Sequence, residues 1–131
     1  MNKLSALLSI IFFGAIGGLL RFVIGNDIPF WGTIIVNLSG CFLLGFLTSF
    51  LYEAHAAEWL SLGLRVGLIG SFTTFSSFCL DNIKLLLTKN LSVALIYLTL
   101  SILGGWIFTY LGITLENHVV RILQKGGEKN R

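Results

Sequence analysis

The sequence predicts an all-α integral membrane protein with four transmembrane helices and a break in the third. Three observations carry this. Of 131 residues, 55% are hydrophobic and only 11% charged, whereas roughly a quarter of a soluble domain is charged. Four apolar runs approach or exceed the about 20 residues needed to span a bilayer. The third run is interrupted by residues that resist helix formation.

The first helix is expected from about Leu4 to Ile24, with Arg21 near its end. Its opening, "MNKLSALLSIIFFGAIGG", has the outline of a secretory signal. No A-x-A-like cleavage site follows, however, and three further apolar runs come after it, so it reads as a membrane span. Gly14 and Gly18 form a GxxxG pair, a pattern that lets helices approach closely in lipid.

The second helix is expected over Phe30–Tyr52 and carries no charge, with Pro29 at its entry, where a missing N–H is harmless. The third runs from about Leu60 to Leu87, with Arg65 near its start and Asp81 and Lys84 near its end. The fourth, Leu91–Leu115, is uncharged. Trp31 and Trp59 fall at segment starts, where aromatic rings anchor at the headgroup level. The links "GNDIP", "EAHAAE" and "TKN" are short. The whole chain, residues 1–131, therefore reads as one transmembrane domain. From Glu116 to Arg131 the tail turns polar and basic, a short helical extension followed by a disordered end.

Charge and cysteine usage exclude several classes. The net charge of +3 is gathered near segment ends and in the tail, so it reads as topology signal and lipid contact, and no nucleic-acid partner is expected. Lys3, Arg65 and the tail cations fall on one side; Arg21, Lys84 and Lys89 fall on the other. Without the tail the count slightly favours the second side, so orientation rests on the tail. Cys41 and Cys79 lack any metal-ligand or CxxC spacing and read as small buried residues. His55 lies in a link and His118 in the tail, neither within a catalytic constellation, so no enzyme is expected.

Polar residues inside a membrane are costly and point to function. In the second helix Asn37 is either an interhelical hydrogen bond, the commoner use, or a donor facing an anion. In the third, "GSFTTFSS" predicts a non-helical turn near Gly70–Thr74. Such a turn is tolerated at membrane depth only where it is buried in protein or lines a wet cavity. Its carbonyls can hold a cation, and the half-helix N-terminus beyond it suits an anion. Phe75 and Phe78 share a helix face and Asp81 follows it. Their ring edges carry positive potential and can contact a small anion, although core or lipid-facing phenylalanines would look the same. Tyr97, Ser101 and Gly105 recur every four residues, as a polar track or a packing seam.

Three blocks, "GGLLRF" (Gly17–Phe22), "GTIIVNLSGCFLLGF" (Gly32–Phe46) and "GLIGSFTTFSSF" (Gly67–Phe78), in this order within four short spans, closely resemble the Fluc-type fluoride channels, the CrcB family. The resemblance covers nearly all of the chain but the tail. It implies an antiparallel, dual-topology dimer with two fluoride pores, in the inner or plasma membrane of a prokaryote. It also implies passive fluoride efflux that lowers cytoplasmic fluoride. A structural, non-transported sodium ion would sit at the dimer centre on the backbone carbonyls of Gly70 and Thr73. The implied pore residues are Asn37, Phe75, Phe78, Ser76 or Ser77, Tyr97 and Ser101, with Arg21 in the vestibule. The partner is a second copy or a closely related paired subunit. Ser71 and Asp81 depart from the usual Gly and Glu, and Ser77 and Cys79 from the usual Thr and Ser.

Two other classes compete with this reading. A proton-coupled small multidrug exporter is also four short helices in a dimer, but it needs a membrane-embedded carboxylate, and here only Asp81, near a segment end, is in the membrane zone. A non-transporting assembly subunit would use Asn37 and "TTFSSF" for packing alone.

Overall fold

The computed structural model describes residues 2–28 and 31–128. Every regular element among the described residues is helical: α1 (Lys3–Asp27), α2 (Gly32–Glu53), α3 (Glu58–Leu62), a π-helical segment (Gly63–Ile69), α4 (Gly70–Phe72), α5 (Phe75–Leu87) and α6 (Leu91–Glu128). Pro29 lies outside the described residues. Three helices are long and apolar enough to cross a membrane, over Lys3–Gly25, Gly32–Glu53 and Leu91–Ile122. Between Glu58 and Leu87 the chain is helical in shorter pieces.

Local chemistry sets the ends of these elements. Asn2 caps α1, its side chain accepting from the Leu4 N–H at 3.2 Å and satisfying one of the orphan donors of a first turn. Helices α2 and α5 end alike. His55 and Lys89 take left-handed conformations (φ 49° and 57°). The amides that follow, Ala56 and Asn90, donate to Leu51 and Leu85, closing a Schellman-type end without glycine. Helix α6 does not stop where the apolar run ends at Leu115 but continues to Glu128. Residues 129–131, part of the expected disordered end, lie outside the described residues.

The helices pair in two sets: α1 lies on the π-helical segment and α4, and α2 lies along α6, with α5 against α6. Glycines permit the close approaches. A Cβ on Gly17 would overlap the Leu68 backbone, and one on Gly67 would lie 2.7 Å from the Ile10 carbonyl. Across the α2–α6 seam, Gly45 meets the Thr109 backbone and Gly112 meets that of Phe42. The GxxxG expectation is thus shifted. Gly14 and Gly17 face the third segment, while Gly18 has nothing within 4 Å of its would-be Cβ.

The π-helical stretch has no signal in the sequence beyond its spaced glycines. It buries Gly63, Gly67 and Ile69. Extra-residue turns of this kind often mark functional regions, and the only ionisable side chain in the stretch is Arg65.

Candidate functional site

The site is built where the chain leaves helical geometry. Thr73 (φ −75°, ψ 157°) and Thr74 (φ −146°, ψ 122°) are both extended. Continuing the helix would have paired the Thr74 N–H with the Gly70 carbonyl and the Ser77 N–H with the Thr73 carbonyl. Both donors are diverted. The Thr74 N–H donates to Asn37 Oδ1 at 2.8 Å, and the Ser77 N–H donates to Thr74 Oγ1 at 3.2 Å, which caps α5. The carbonyls of Gly70 and Thr73 are thereby left without their helical donors.

Asn37 does more than accept. Its Nδ2 donates to the Thr74 carbonyl at 2.9 Å. The amide side chain has the same donor–acceptor pair as a peptide group, so it satisfies both backbone groups of one buried residue at once. Thr74 is 7% exposed, and leaving those groups unpaired would be expensive. The approach depends on Gly40, one turn beyond Asn37, because a Cβ there would overlap Thr73 Cγ2. Of the two readings open for Asn37, the interhelical bond is present; a second Nδ2 hydrogen remains on a residue that lines a cavity.

That cavity, of about 420 Å³, gathers most of the expected residues. Asn37, Gly40 and Cys41 line it from α2; Gly70, Thr73, Phe75 and Phe78 from the third segment; Ser101 and Ile102 from α6; and Arg65 from the π-helical stretch. The Phe75 and Phe78 rings lie 5.8 Å apart at 34°. Phe78 also stacks on Tyr97 at 5.8 Å. Tyr97 is 2% exposed and donates to Asp81 Oδ2 at 2.9 Å. Ser101 back-bonds to the Tyr97 carbonyl. Phe75 is 77% exposed in the single chain, and Gly70 is exposed as well.

The remaining expected residues lie elsewhere. Arg21 and Ser77 line a second cavity of about 240 Å³, with Thr33 and Val36. Thr74 lines both cavities, so it is the partition between them. Ser76 is exposed, with its hydroxyl 3.3 Å from Thr74 Oγ1.

Three residues were not singled out as site members. Thr74 carries the signal of a helix N-cap, a hydroxyl residue just ahead of a periodic apolar run. Arg65 carries no signal in the sequence beyond its charge near a segment start. Asp81 is joined to the aromatic pair through Tyr97.

Along the chain, the Gly70 and Thr73 carbonyls that lack their helical donors come before the N-terminus of α5, a 13-residue helix. Carbonyl oxygens are the donor type for a hard cation, and the helix N-terminus favours an anion. Gly70 and Thr73 therefore fit a small alkali cation by the chemistry of their donor set, although two oxygens are only part of a coordination shell.

Comparison with known proteins places these features in context. Residues 8–113 match the family described as "CrcB-like protein, Camphor Resistance (CrcB)". The chain is 43% identical over 128 residues to "Fluoride-specific ion channel FluC 1" of Lactobacillus delbrueckii subsp. bulgaricus, covering 96% of this chain and all of that protein. It is 43% identical over 114 residues to "Fluoride-specific ion channel FluC 2" of Ligilactobacillus salivarius, covering 86% of each. A "Fluoride-specific ion channel FluC 1" of Bacillus cereus is 39% identical over 117 residues, 82% of this chain and 85% of that protein.

Proposed function

Because the chain belongs to the CrcB family, we propose that it is a fluoride-specific ion channel, not an enzyme, acting in a bacterial plasma membrane. It lets fluoride leave passively and so lowers fluoride toxicity inside the cell. The observation that carries the reading is the cavity that brings Asn37, Phe75, Phe78 and Ser101 together beside the extended pair Thr73–Thr74.

Fluoride is small and strongly hydrated, so a pore must replace its water with donors. The free Nδ2 hydrogen of Asn37 and the positive edges of Phe75 and Phe78 are such groups, the Ser101 hydroxyl joins them by rotating its one hydrogen away from the Tyr97 carbonyl, and each is weak enough to release the ion again. The α5 N-terminus adds a favourable field. Arg21, beside Ser77 across the Thr74 partition, raises the local anion concentration at the mouth of the second cavity. Asn37 also holds Thr74 in the extended form, so one residue shapes the site and serves in it. The interior-negative membrane potential then drives the anion outward.

Glu58–Leu87 completes a fourth crossing, with Thr73 and Thr74 as the break in it. A break must be buried in protein or line a wet cavity; Thr74 is buried, but Gly70 and Phe75, which flank the extended pair, are exposed in the single chain. A second subunit supplies the missing cover, in antiparallel orientation, whether a second copy or a related paired chain. The carbonyls of Gly70 and Thr73 would then hold a structural sodium ion between subunits, which satisfies the oxygens left by the break. Fluoride efflux from liposomes bearing the purified protein tests the function. Absence of flux, or equal flux for chloride, overturns it.

A further inference from the structure

Helix α6 carries one acid deep into the protein. Gly112 allows α6 to meet the Phe42 backbone, and Glu116, four residues on, follows the same face into the α2–α6 seam. Glu116 is only 2% exposed, and its Oε1 has no hydrogen-bond partner among the described residues. The sequence places it at the start of a polar tail, but the structure encloses it. A buried carboxylate left unpaired is strongly disfavoured, so this group calls for a counter-charge.

The group opens on a cavity of about 410 Å³, large enough for an ion with several waters. Its other polar walls are the hydroxyls of Thr48 and Ser49, the Asn117 amide, the Glu53 carboxylate and Arg65. Arg65 forms no ion pair with Glu116 among the described residues. Two carboxylates against one guanidinium leave the wall net negative, so the occupant is a cation. The donors are all oxygens, and no cluster of three His, Cys, Asp or Glu exists among the described residues. That donor set suits a hard cation rather than zinc or copper.

We propose that this cavity is a binding site for a small hard cation, with Glu116 as its principal ligand and Glu53, Thr48, Ser49 and Asn117 supplying further oxygens. Arg65 lines both this cavity and the one holding Asn37 and Phe78. A bound cation balances Glu116 and leaves the guanidinium charge to the anion cavity. The site is separate from the Gly70 and Thr73 carbonyls and does not depend on the fluoride reading.

The test uses the purified full-length protein in detergent micelles. Thermal unfolding is followed in choline chloride with sodium, potassium, magnesium or calcium added at constant ionic strength. At least one of the four is expected to raise the wild-type midpoint, and Glu116→Gln is expected to shift the half-saturating concentration upward by about tenfold or more. A sodium response that survives in Glu116→Gln belongs to the backbone carbonyls if Gly70→Ala and Thr73→Val alter it while leaving the Glu116-dependent response intact. Thr48→Val removes a hydroxyl ligand without touching the carboxyl, so it reads the same affinity if Glu116→Gln fails to fold. Tyr52 lines the cavity and can sensitise luminescence from added terbium, a signal expected in the wild type and lost in Glu116→Gln. Wild-type indifference to all four cations overturns the proposal, as does an unchanged response in both Glu116→Gln and Thr48→Val.

Discussion

Replacing Asn37 by alanine removes both hydrogen bonds to Thr74, at 2.9 and 2.8 Å, and orphans a backbone N–H and C=O on a residue that is 7% exposed. Each orphaned group costs roughly 1–3 kcal/mol, which sums to about 2–6 kcal/mol. The cavity beside Thr74 admits water, and unfolded chains in a membrane environment find alternative partners. These effects place the expected loss at about 2–4 kcal/mol, in the lower half of that range. Ser39 is the control. Its hydroxyl bonds only to carbonyls of its own helix, Ile35 and Val36, so Ser39→Ala should stay within about 0.5 kcal/mol of wild type. Reversible denaturant unfolding in micelles, followed by circular dichroism, measures both. If Asn37→Ala costs no more than Ser39→Ala, the peptide-mimicking clamp is not what holds the extended pair.

Phe78→Ile keeps an apolar side chain but removes a ring that touches both Phe75 and Tyr97; fluoride flux should fall about tenfold or more, the scale of losing about 1.4 kcal/mol of transition-state interaction, while the dimer persists on size exclusion. Gly17→Ala drives a methyl into the Leu68 backbone, and an overpacked contact of this kind should cost about 1–3 kcal/mol in the same unfolding assay. Gly18→Ala meets open space and should be near neutral, within about 0.5 kcal/mol. Exchanging sodium for N-methylglucamine should weaken subunit association, read as monomer appearing on dilution; a dimer indifferent to sodium would argue against the carbonyl site.

Much of the helical architecture was legible because apolar length is a strong signal: α1 and α2 begin and end within a few residues of the runs that predict them, and α6 begins with its run but continues past Leu115 to Glu128. The extended pair Thr73–Thr74 lies inside a stretch marked by weak helix formers, which compete with the helix through their own hydroxyls. Asn37 could be narrowed to two uses but not decided, since the choice depends on a partner 37 residues away. The π-helical segment escaped because an extra residue per turn leaves no compositional trace. The burial of Glu116 is hidden in the sequence for a different reason. A charge at the end of an apolar run looks solvated, and its burial follows from Gly112 and Gly45 drawing α6 onto α2, a tertiary effect.

The central claim is that this chain conducts fluoride selectively. Efflux from liposomes loaded with equal fluoride and chloride, triggered by a potassium-valinomycin potential and read by ion-selective electrodes, measures it most directly. The account predicts rapid fluoride release with chloride retained, for this chain alone or with a paired subunit. Fluoride retained under both conditions, or chloride released alongside it, would contradict the account.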